Sequence, residues 1–197
     1  MQAHGEYLIT QKTFRVLLQA MSHPGRIYNI GDFISDSPIH PFTHSPLMIV
    51  LQTLLDHEVG FRVIGTEKEY LGTTISELTR CPVKGMSDAD FIIVSDGESN
   101  GEILKAKRGT LEYPDAGATV IYVVESLDDR DNGKTIALLK GTGIRNDIAP
   151  VIHGLGKNEL SHIKEINSEF PMGIDCIFID SANRIMCIPR STRIEVK

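Results

Sequence analysis

Phe170–Thr192, with the sequence FPMGIDCIFIDSANRIMCIPRST, contains two apolar segments separated by a polar tetrapeptide. The segments are Ile174–Ile179 and Ile185–Ile188, and neither alternates cleanly between apolar and polar residues. A strand that is covered on one face alternates in this way, whereas a strand covered on both faces need not. The stretch therefore predicts a β-hairpin buried inside a sheet that has cover on both sides.

A turn centred on Ala182-Asn183 would place Asp175 opposite Arg190 in this hairpin. A carboxylate in an apolar strand is costly unless it is paired or hydrogen-bonded, and Arg190 is the partner that this register supplies. We therefore predict a structural pair of Asp175 and Arg190. A slip of one residue in the register would remove the basis for it.

The composition indicates one ordinary soluble domain covering residues 1–197. The chain has 197 residues, of which 41% are hydrophobic and 23% are charged, and no composition shift divides it. The net charge of −6 and the lack of a long basic run argue against nucleic acid or an anionic membrane as the main partner. The one short basic run, Lys105–Arg108, is typical of a solvated helix face.

The cysteines and the N-terminus predict a cytoplasmic protein. No apolar segment reaches the roughly 20 residues needed to span a bilayer, and the N-terminus lacks the pattern of a signal peptide. Cys81, Cys176 and Cys187 are odd in number and form no CxxC motif. The hairpin register makes Cys176 and Cys187 diagonal neighbours, so we expect free, mostly buried thiols in a reducing compartment.

The remaining chain mixes helical and strand patterns. The helical patterns cover Gln11–Ser22 (with Phe14, Leu17, Leu18 and Met21 on one face), a helix capped by Ser45-Pro46, Tyr70–Thr79, Gly101–Lys107 and Asn158–Phe170. The strand patterns cover Arg26–Ile30, Val59–Ile64, Asp88–Val94, Thr119–Val124 and Thr135–Lys140, and Asp131-Asn132-Gly133 favours a hairpin between the last two. Hairpins and helical crossovers together predict an α/β fold with a mixed sheet between helices, in three layers α/β/α.

Gly141-Thr142-Gly143-Ile144 follows a predicted strand. A GxG sequence after a strand can bring backbone N–H groups to a phosphate. Neither a third glycine nor a GKS or GKT ending follows, so the motif by itself is a weak indication. Gly141 and Gly143 are candidates for an anion site.

The end of the hairpin supplies three further candidates, Arg190, Ser191 and Thr192. Polar residues where a buried strand emerges often contact ligands, and Arg190 could bind an anion together with Arg193. The alternative is that Arg190 simply neutralises Asp175. The sequence leaves both interpretations open.

Catalytic and metal-binding patterns are weak. His40 and His44 have helical spacing, but a proline lies between them and no further ligand follows. Asp88 and Asp90 could hold Mg²⁺, although a solvated strand start is the more usual role. His23 ends a helix without a nucleophile or carboxylate at a motif spacing. We predict no metal site and assign no catalytic residue.

Five landmarks, in family order, resemble the H subunit of the bacterial carbon–phosphorus lyase system. They are FRVLLQAMSHPG (Phe14–Gly25), the segment from Leu54-Leu55-Asp56 to Val59, GTLEYPDAGAT (Gly109–Thr119), GTGI (Gly141–Ile144), and FPMGIDCIFID with IPRST. His23 stands at a position that the family leaves variable. Cys176 and Cys187 stand where the family often has other apolar residues.

The resemblance implies a role in phosphonate breakdown together with the G, I and J subunits. In that system an alkylphosphonate displaces adenine from ATP to give a ribose 1-alkylphosphonate 5-triphosphate, and a radical subunit later cleaves the C–P bond. The resemblance also implies a fold similar to that of pyridoxal-phosphate-dependent transferases, without the cofactor or its Schiff-base lysine. It further implies a homodimer in isolation and a largely structural role in the complex.

Three functions remain open from the sequence. The first is an accessory subunit of this transferase complex, with an exposed apolar patch for its partners. The second is a catalytic or nucleotide- or phosphonate-binding subunit that uses the Gly141–Gly143 loop and Arg190. The third is a stand-alone pyridoxal enzyme, which we do not expect.

Overall fold

The computed structural model describes residues 2–34, 45–128 and 137–196. The helices in these ranges are α1 (Gln2–Ser22), α2 (Gly31–Ile34), α3 (Pro46–Leu54), α4 (Lys68–Thr79) and α5 (Glu159–Ile166), with short 3-10 helices at Glu102–Lys105, Pro114–Ala116 and Asn167–Glu169. The strands are β1 (Tyr28–Asn29), β2 (Phe61–Ile64), β3 (Phe91–Val94), β4 (Thr119–Val124), β5 (Ser126–Asp128), β6 (Ala137–Lys140), β7 (Val151–His153), β8 (Asp175–Asp180), β9 (Arg184–Ile188) and β10 (Arg193–Val196).

A six-stranded sheet with the order β1-β9-β8-β4-β3-β2 forms the centre of the molecule. Strands β2, β3, β4 and β8 are parallel to one another. Strand β9 runs antiparallel to β8, and β1 runs antiparallel to β9. Two small antiparallel sheets, β6–β10 and β5–β7, complete the described strands. The predicted α/β fold with a mixed central sheet is therefore confirmed.

Each face of the central sheet carries its own apolar core. On one face, Leu17 of α1, Leu51 of α3 and Ile75 of α4 are buried in a common cluster. On the other face, α5 contributes Ile163 and the 3-10 helix Glu102–Lys105 contributes Ile103. Helices thus cover both faces, as the continuous apolar sequence of the central strands predicted.

The hairpin of β8 and β9 lies within this sheet and is buried on both faces. Residues 176–180 and 185–188 are all buried. Phe178 packs in one core, where its ring stacks on Tyr122 with 5.1 Å between the ring centroids. Ile177 packs in the core on the opposite face. The prediction of a buried C-terminal hairpin is confirmed.

The predicted register of this hairpin is wrong by one residue. Cys176 pairs with Ile188, so Asp175 does not lie directly opposite Arg190. The cause is a three-residue connection, 181–183, in place of a two-residue turn centred on Ala182-Asn183. Its last residue, Asn183, has a φ of 61°, which is the left-handed conformation that closes three-residue hairpin loops.

The carboxylate of Asp180 holds the three-residue connection between β8 and β9 in place. Its carboxylate accepts hydrogen bonds from the backbone N–H groups of Ala182 at 2.9 Å and Arg184 at 3.1 Å. It also accepts from the N–H of Leu127 at 2.9 Å and from Arg184 Nε at 2.7 Å. Because Asp180 is only 1% exposed, these bonds replace the water that the carboxylate loses on folding.

Helix α1 presents a different face to the core from the one predicted. It begins at Gln2 instead of Gln11. Leu17 and Ala20 are buried, whereas Phe14 and Leu18 are 47% and 52% exposed. The small Ala20 side chain allows the helix to approach the core closely, and this rotates Phe14 and Leu18, one turn apart, toward solvent.

Strand β6 pairs with β10 and not with β4, so the predicted hairpin of Thr119–Val124 and Thr135–Lys140 is wrong for the described part of the second strand, Ala137–Lys140. The reason is that β3 and β8 already occupy both edges of β4. The turn predicted at residues 131–133, like the His40 and His44 pair, lies outside the described residues.

The outer edge of the central sheet at β2 is partly covered by the chain itself. Phe61 donates its N–H to the Pro82 carbonyl at 3.0 Å and accepts from the Lys84 N–H at 2.8 Å. On the inner side, the carbonyl of Ile64 accepts from Ser95 of the segment that follows β3. Phe61 therefore has no free backbone group at the edge.

The three cysteines are free and buried. Cys176 and Cys187 belong to the cores on opposite faces of the sheet, so they cannot form a disulfide without rearrangement. Burial raises the pKa of the Cys176 and Cys187 thiols. Burial, with smaller effects from Asp56 and Asp90, raises the pKa of Cys81 to about 11.

We therefore predict that iodoacetamide modifies the folded chain very slowly at pH 8. A thiol with a pKa of about 11 is about 0.1% thiolate at that pH, against about a quarter for an ordinary cysteine. The folded rate should be at least about a hundredfold below that in 6 M guanidinium, and the Cys81 rate should rise about tenfold per pH unit up to pH 10. Mass spectrometry measures both, and rapid labelling of the folded chain at pH 8 would contradict the burial.

Candidate functional site

Arg190 connects the C-terminal hairpin to the segment before β4. Its Nη2 and Nε lie 2.5 and 3.0 Å from Asp175 Oδ2, and its backbone N–H donates to Asp175 Oδ1 at 2.8 Å. The guanidinium also donates to the carbonyls of Pro114 and, at 3.4 Å, Gly117. The side chain of Arg190 is 13% exposed, so its donors are largely used inside the fold. The ion pair forms despite the shifted register because Arg190 follows the strand and can turn back onto Asp175.

Ser191 and Thr192 lie against the first glycine of the GTGI segment. A Cβ at Gly141 would stand 3.2 Å from the Ser191 carbonyl oxygen and 3.7 Å from Thr192 Cα. Thr192 is 5% exposed, and its Oγ1 has no hydrogen-bond partner among the described residues. The structure thus brings Gly141, Ser191 and Thr192 together, while the Arg190 side chain extends to Asp175.

Gly143, the second glycine of that segment, packs on the end of α1. Its φ is 85°, and a Cβ there would lie 2.9 Å from Pro24 Cδ and closer still to the Ser22 carbonyl. Gly25 has a φ of 78° and faces Leu139 Cδ1, 2.8 Å from its ideal Cβ position. Both positions require glycine, for the backbone conformation and for the close approach.

A cleft of about 790 Å³ opens where these two segments meet, and we call it the basic cleft. Its lining includes His23, Arg26, Ile27, Gly143, Arg145 and Ile148. No acidic side chain is among the described residues that line it. Within the described part of the chain, neither Arg26 nor Arg145 forms an ion pair.

Tyr28 positions two of the side chains of the basic cleft. Its Oη lies 3.0 Å from His23 Nδ1, which is also 2.9 Å from the Gln19 carbonyl at the end of α1. The Arg26 guanidinium carbon stands 5.9 Å from the centre of the Tyr28 ring, within the range of a cation–π contact. His23 is thus anchored at the helix end, as its position in the sequence predicted, and it lies beside an unpaired arginine.

The carboxyl ends of β2 and β3, where α/β sheets usually bind ligands, form an acidic crevice instead. Asp96, Glu98 and Glu102 line it together with the basic side chains Arg62 and Lys68. The backbone N–H of Thr66 donates to Asp96 Oδ2 at 2.7 Å, and this bond holds the pKa of Asp96 below its usual value. Acidic side chains outnumber basic ones there, whereas the charged side chains among the described residues that line the basic cleft are both arginines, so the basic cleft is the better candidate for anions.

A buried polar cluster that the sequence did not reveal lies behind this crevice. Glu159, at the start of α5, is fully buried. Its Oε1 accepts from Ser99 N at 3.0 Å and Ser99 Oγ at 2.7 Å, and its Oε2 accepts from Tyr122 Oη at 2.7 Å. Burial, followed by the nearby Cys176 and Glu159, raises the pKa of Tyr122, so its phenol remains a donor. The cluster joins α5 to the central sheet.

Asp88 and Asp90, considered as a Mg²⁺ pair, do not act together. Asp90 forms ion pairs with Lys84 at 3.2 Å and Lys107 at 2.8 Å and accepts from Gly60 N at 2.8 Å. Burial raises the Asp90 pKa, but these bonds outweigh it and the net pKa is lowered. Asp88 is exposed. In residues 2–34, 45–128 and 137–196, no three His, Cys, Asp or Glu side chains are grouped to hold a metal ion.

None of the helices in these same ranges is both long and apolar enough to cross a bilayer.

Comparison with known proteins assigns the chain to a family. The family model described as bacterial phosphonate metabolism protein (PhnH) matches residues 4–195. The chain belongs to the PhnH family. One relative is the putative C-P lyase subunit protein HtxG of Stutzerimonas stutzeri, which is 28% identical over 190 residues, covering 95% of this chain and 86% of the relative. Another is the alpha-D-ribose 1-methylphosphonate 5-triphosphate synthase subunit PhnH of Rhizobium meliloti (strain 1021), 27% identical over 187 residues, covering 94% and 90%.

Four of the five landmarks that resemble the H subunit contact one another in two pairs in this PhnH-family chain. Phe14–Gly25 contacts Gly141–Ile144 at the basic cleft. Gly109–Thr119 contacts Phe170–Thr192 through Arg190, which donates to the Pro114 and Gly117 carbonyls, and through the pairing of Thr119 with Asp175. Sequence reasoning missed Arg26 and Arg145, which directly follow the landmarks Phe14–Gly25 and Gly141–Ile144.

Proposed function

We propose that this PhnH-family chain is an accessory, non-catalytic subunit of a carbon–phosphorus lyase core complex that breaks down alkylphosphonates. The complex would form α-D-ribose 1-alkylphosphonate 5-triphosphate from ATP and a phosphonate, with the G, I and J subunits as partners. The observation that carries this proposal is the family match over residues 4–195. Two relatives that align over nearly the whole chain bear subunit names from this chemistry.

The internal chemistry of the described residues supports an accessory role. Asp175, Asp180 and Glu159 are bonded to groups of the fold itself. The thiols of Cys176 and Cys187 are fully buried, and burial raises their pKa. Nucleophiles and general bases need accessible side chains at suitable distances from one another, whereas these groups stabilise the packing.

Two exposed apolar surfaces support association with partners. Phe14 and Leu18 lie one turn apart on α1, at 47% and 52% exposure. Leu111, Tyr113 and Phe170 are 72%, 65% and 61% exposed in loops that border the Arg190 contacts. Large exposed apolar side chains commonly mark interaction surfaces. A homodimer in isolation and the larger complex are both compatible with two such surfaces.

The basic cleft favours a second candidate function, a nucleotide- or phosphonate-binding subunit of the same transferase step. Arg26 and Arg145, which form no ion pair with the described residues, provide positive charge on a chain with a net charge of −6. The set predicted from the sequence, Gly141, Gly143, Arg190, Ser191 and Thr192, contributes only Gly143 to the lining residues.

We also propose that the chain resembles the pyridoxal-phosphate transferase fold without binding that cofactor. The mixed sheet covered by helices on both faces supports the resemblance. Addition of pyridoxal phosphate to the purified chain should give no Schiff-base absorbance near 400 nm, a property that the cofactor itself carries.

The central experiment is reconstitution of the complex with and without this chain. We predict that the G, I and J subunits co-purify with it and that the chain alone releases no adenine from ATP and methylphosphonate. Tyr113→Asp combined with Leu111→Asp should weaken co-purification, because it places charge in an apolar surface. Thr73→Asp combined with Ser161→Asp, at exposed polar positions on α4 and α5, is the matched control. Adenine release by the chain alone would overturn the accessory role.

A further inference from the structure

We propose that the basic cleft is a binding site for a polyphosphate or phosphonate anion, with Arg26 and Arg145 as its charged ligands. The ligand class deepens the proposed function and rests on it, because the transferase step has a triphosphate and a phosphonate among its reactants.

The charges of the cleft have one sign. Arg26 and Arg145 are exposed, line the same 790 Å³ space and form no ion pair within the described residues. By contrast, Arg184 and Arg190 are each paired with an aspartate of the hairpin. An arginine guanidinium offers a planar fork of donors that matches the oxygens of a phosphate or phosphonate group. Two such groups without a carboxylate between them favour a multiply charged anion.

The floor of the cleft is closely packed. Gly143 packs against Ser22 and Pro24, and Gly25 packs against Leu139 and Ile148. Arg26 stands over the ring of Tyr28. A preformed site loses less conformational entropy on binding than one that must be ordered.

His23 is a third polar side chain of the same space. Its Nδ1 is held between the Gln19 carbonyl and the Tyr28 hydroxyl. Its Nε2 has no hydrogen-bond partner among the described residues, and His23 lines the cleft with Arg26 and Arg145. The volume of about 790 Å³ lies within the roughly 300–1,000 Å³ of small-molecule sites, which suffices for a sugar triphosphate.

Isothermal titration calorimetry of the purified full chain tests this proposal with tripolyphosphate, ATP and methylphosphonate as probes. We expect tripolyphosphate and ATP to bind with affinities within about threefold of each other, because the cleft recognises phosphate oxygens. Arg26→Gln combined with Arg145→Gln should weaken tripolyphosphate binding at least about a hundredfold, about tenfold for each charge-assisted contact. Arg15→Gln removes an exposed charge from α1, two helical turns before His23, and should leave the affinity unchanged.

The outcomes separate the ligand sources and the two proposals. Binding of methylphosphonate as well as tripolyphosphate supports a site for any such group, and binding of tripolyphosphate without methylphosphonate supports a triphosphate site. Absence of binding to the wild-type chain, equal weakening by Arg15→Gln, or binding of ATP without tripolyphosphate overturns the anion site. Co-purification with partner subunits is measured separately, so failure of the proposed function is distinguishable. Unchanged thermal unfolding midpoints of the variants would show that lost binding is not lost folding.

Discussion

Arg190→Met is expected to lower the free energy of unfolding by about 3 kcal/mol, near the lower end of the range for breaking a buried ion pair. The variant leaves the Asp175 carboxylate, 24% exposed, without its cation and leaves the Pro114 and Gly117 carbonyls without a guanidinium donor. The partial exposure of Asp175 limits the loss. Urea denaturation followed by far-UV circular dichroism measures it.

Two further variants separate charge from geometry at Arg190. Arg190→Lys keeps the positive charge but not the planar set of N–H donors. It should therefore lower the free energy of unfolding by less than Arg190→Met does. Asp175→Asn combined with Arg190→Met should lower the free energy of unfolding by less than the sum of the two single losses, because the two side chains interact directly. A loss below about 1 kcal/mol for Arg190→Met, together with loss of tripolyphosphate binding, would instead make Arg190 an anion ligand.

Glu159→Ala is expected to destabilise the fold by about 4 kcal/mol. The change leaves three donors buried without an acceptor, the N–H and O–H of Ser99 and the O–H of Tyr122. Each unsatisfied buried group costs about 1–3 kcal/mol, and water can enter the space that the shorter side chain leaves. Thermal and urea unfolding of the purified chain measure the loss.

Glu159→Gln keeps one carbonyl acceptor and should cost about half as much. Ser161→Ala, at an exposed position on the same helix, is the matched control and should stay within about 0.5 kcal/mol of wild type. Equal stability of Glu159→Ala and Ser161→Ala would show that the buried cluster does not support the sheet.

The sequence predicted those elements whose signal is local. Thr119–Val124 is rich in β-branched residues and forms β4 with the predicted bounds. Leu160, Ile163 and Ile166 are buried on α5, which lies within the predicted helix Asn158–Phe170. The hairpin was located because apolar residues fill both of its faces. Its register was missed because the backbone conformation of Asn183 and the bonds of Asp180 set the turn length.

Strand partners and helix orientation depend on tertiary contacts that a local pattern does not encode. The pattern of β6 fits any antiparallel neighbour, and only the occupied edges of β4 direct it to β10. Phe14 and Leu18 follow the helical period as well as Leu17 does. They are exposed because Ala20 faces the core.

The candidate site shows the same division between local and tertiary information. GTGI was identified from its glycines, but its partner at the end of α1 could not be inferred from spacing. The signal available for the basic cleft was the presence of Arg26 directly after Phe14–Gly25 and of Arg145 directly after Gly141–Ile144. No signal in the sequence indicated that Glu159 is buried, because an acidic residue in the first turn of a helix usually interacts with the helix dipole in solvent.

The hydrogen bonds of Phe61 with Pro82 and Lys84 also limit how copies of this molecule can join. In β2, the backbone N–H and C=O groups of Phe61 and Val63 point toward the outer edge of the sheet. Those of Phe61 are already hydrogen-bonded to Pro82 and Lys84. One residue offers too few backbone groups for an intermolecular strand ladder, so this edge of the sheet resists edge-to-edge pairing with another sheet. A partner that approaches this edge must then be bound by side chains, and the specificity of such a contact is open to change by single substitutions.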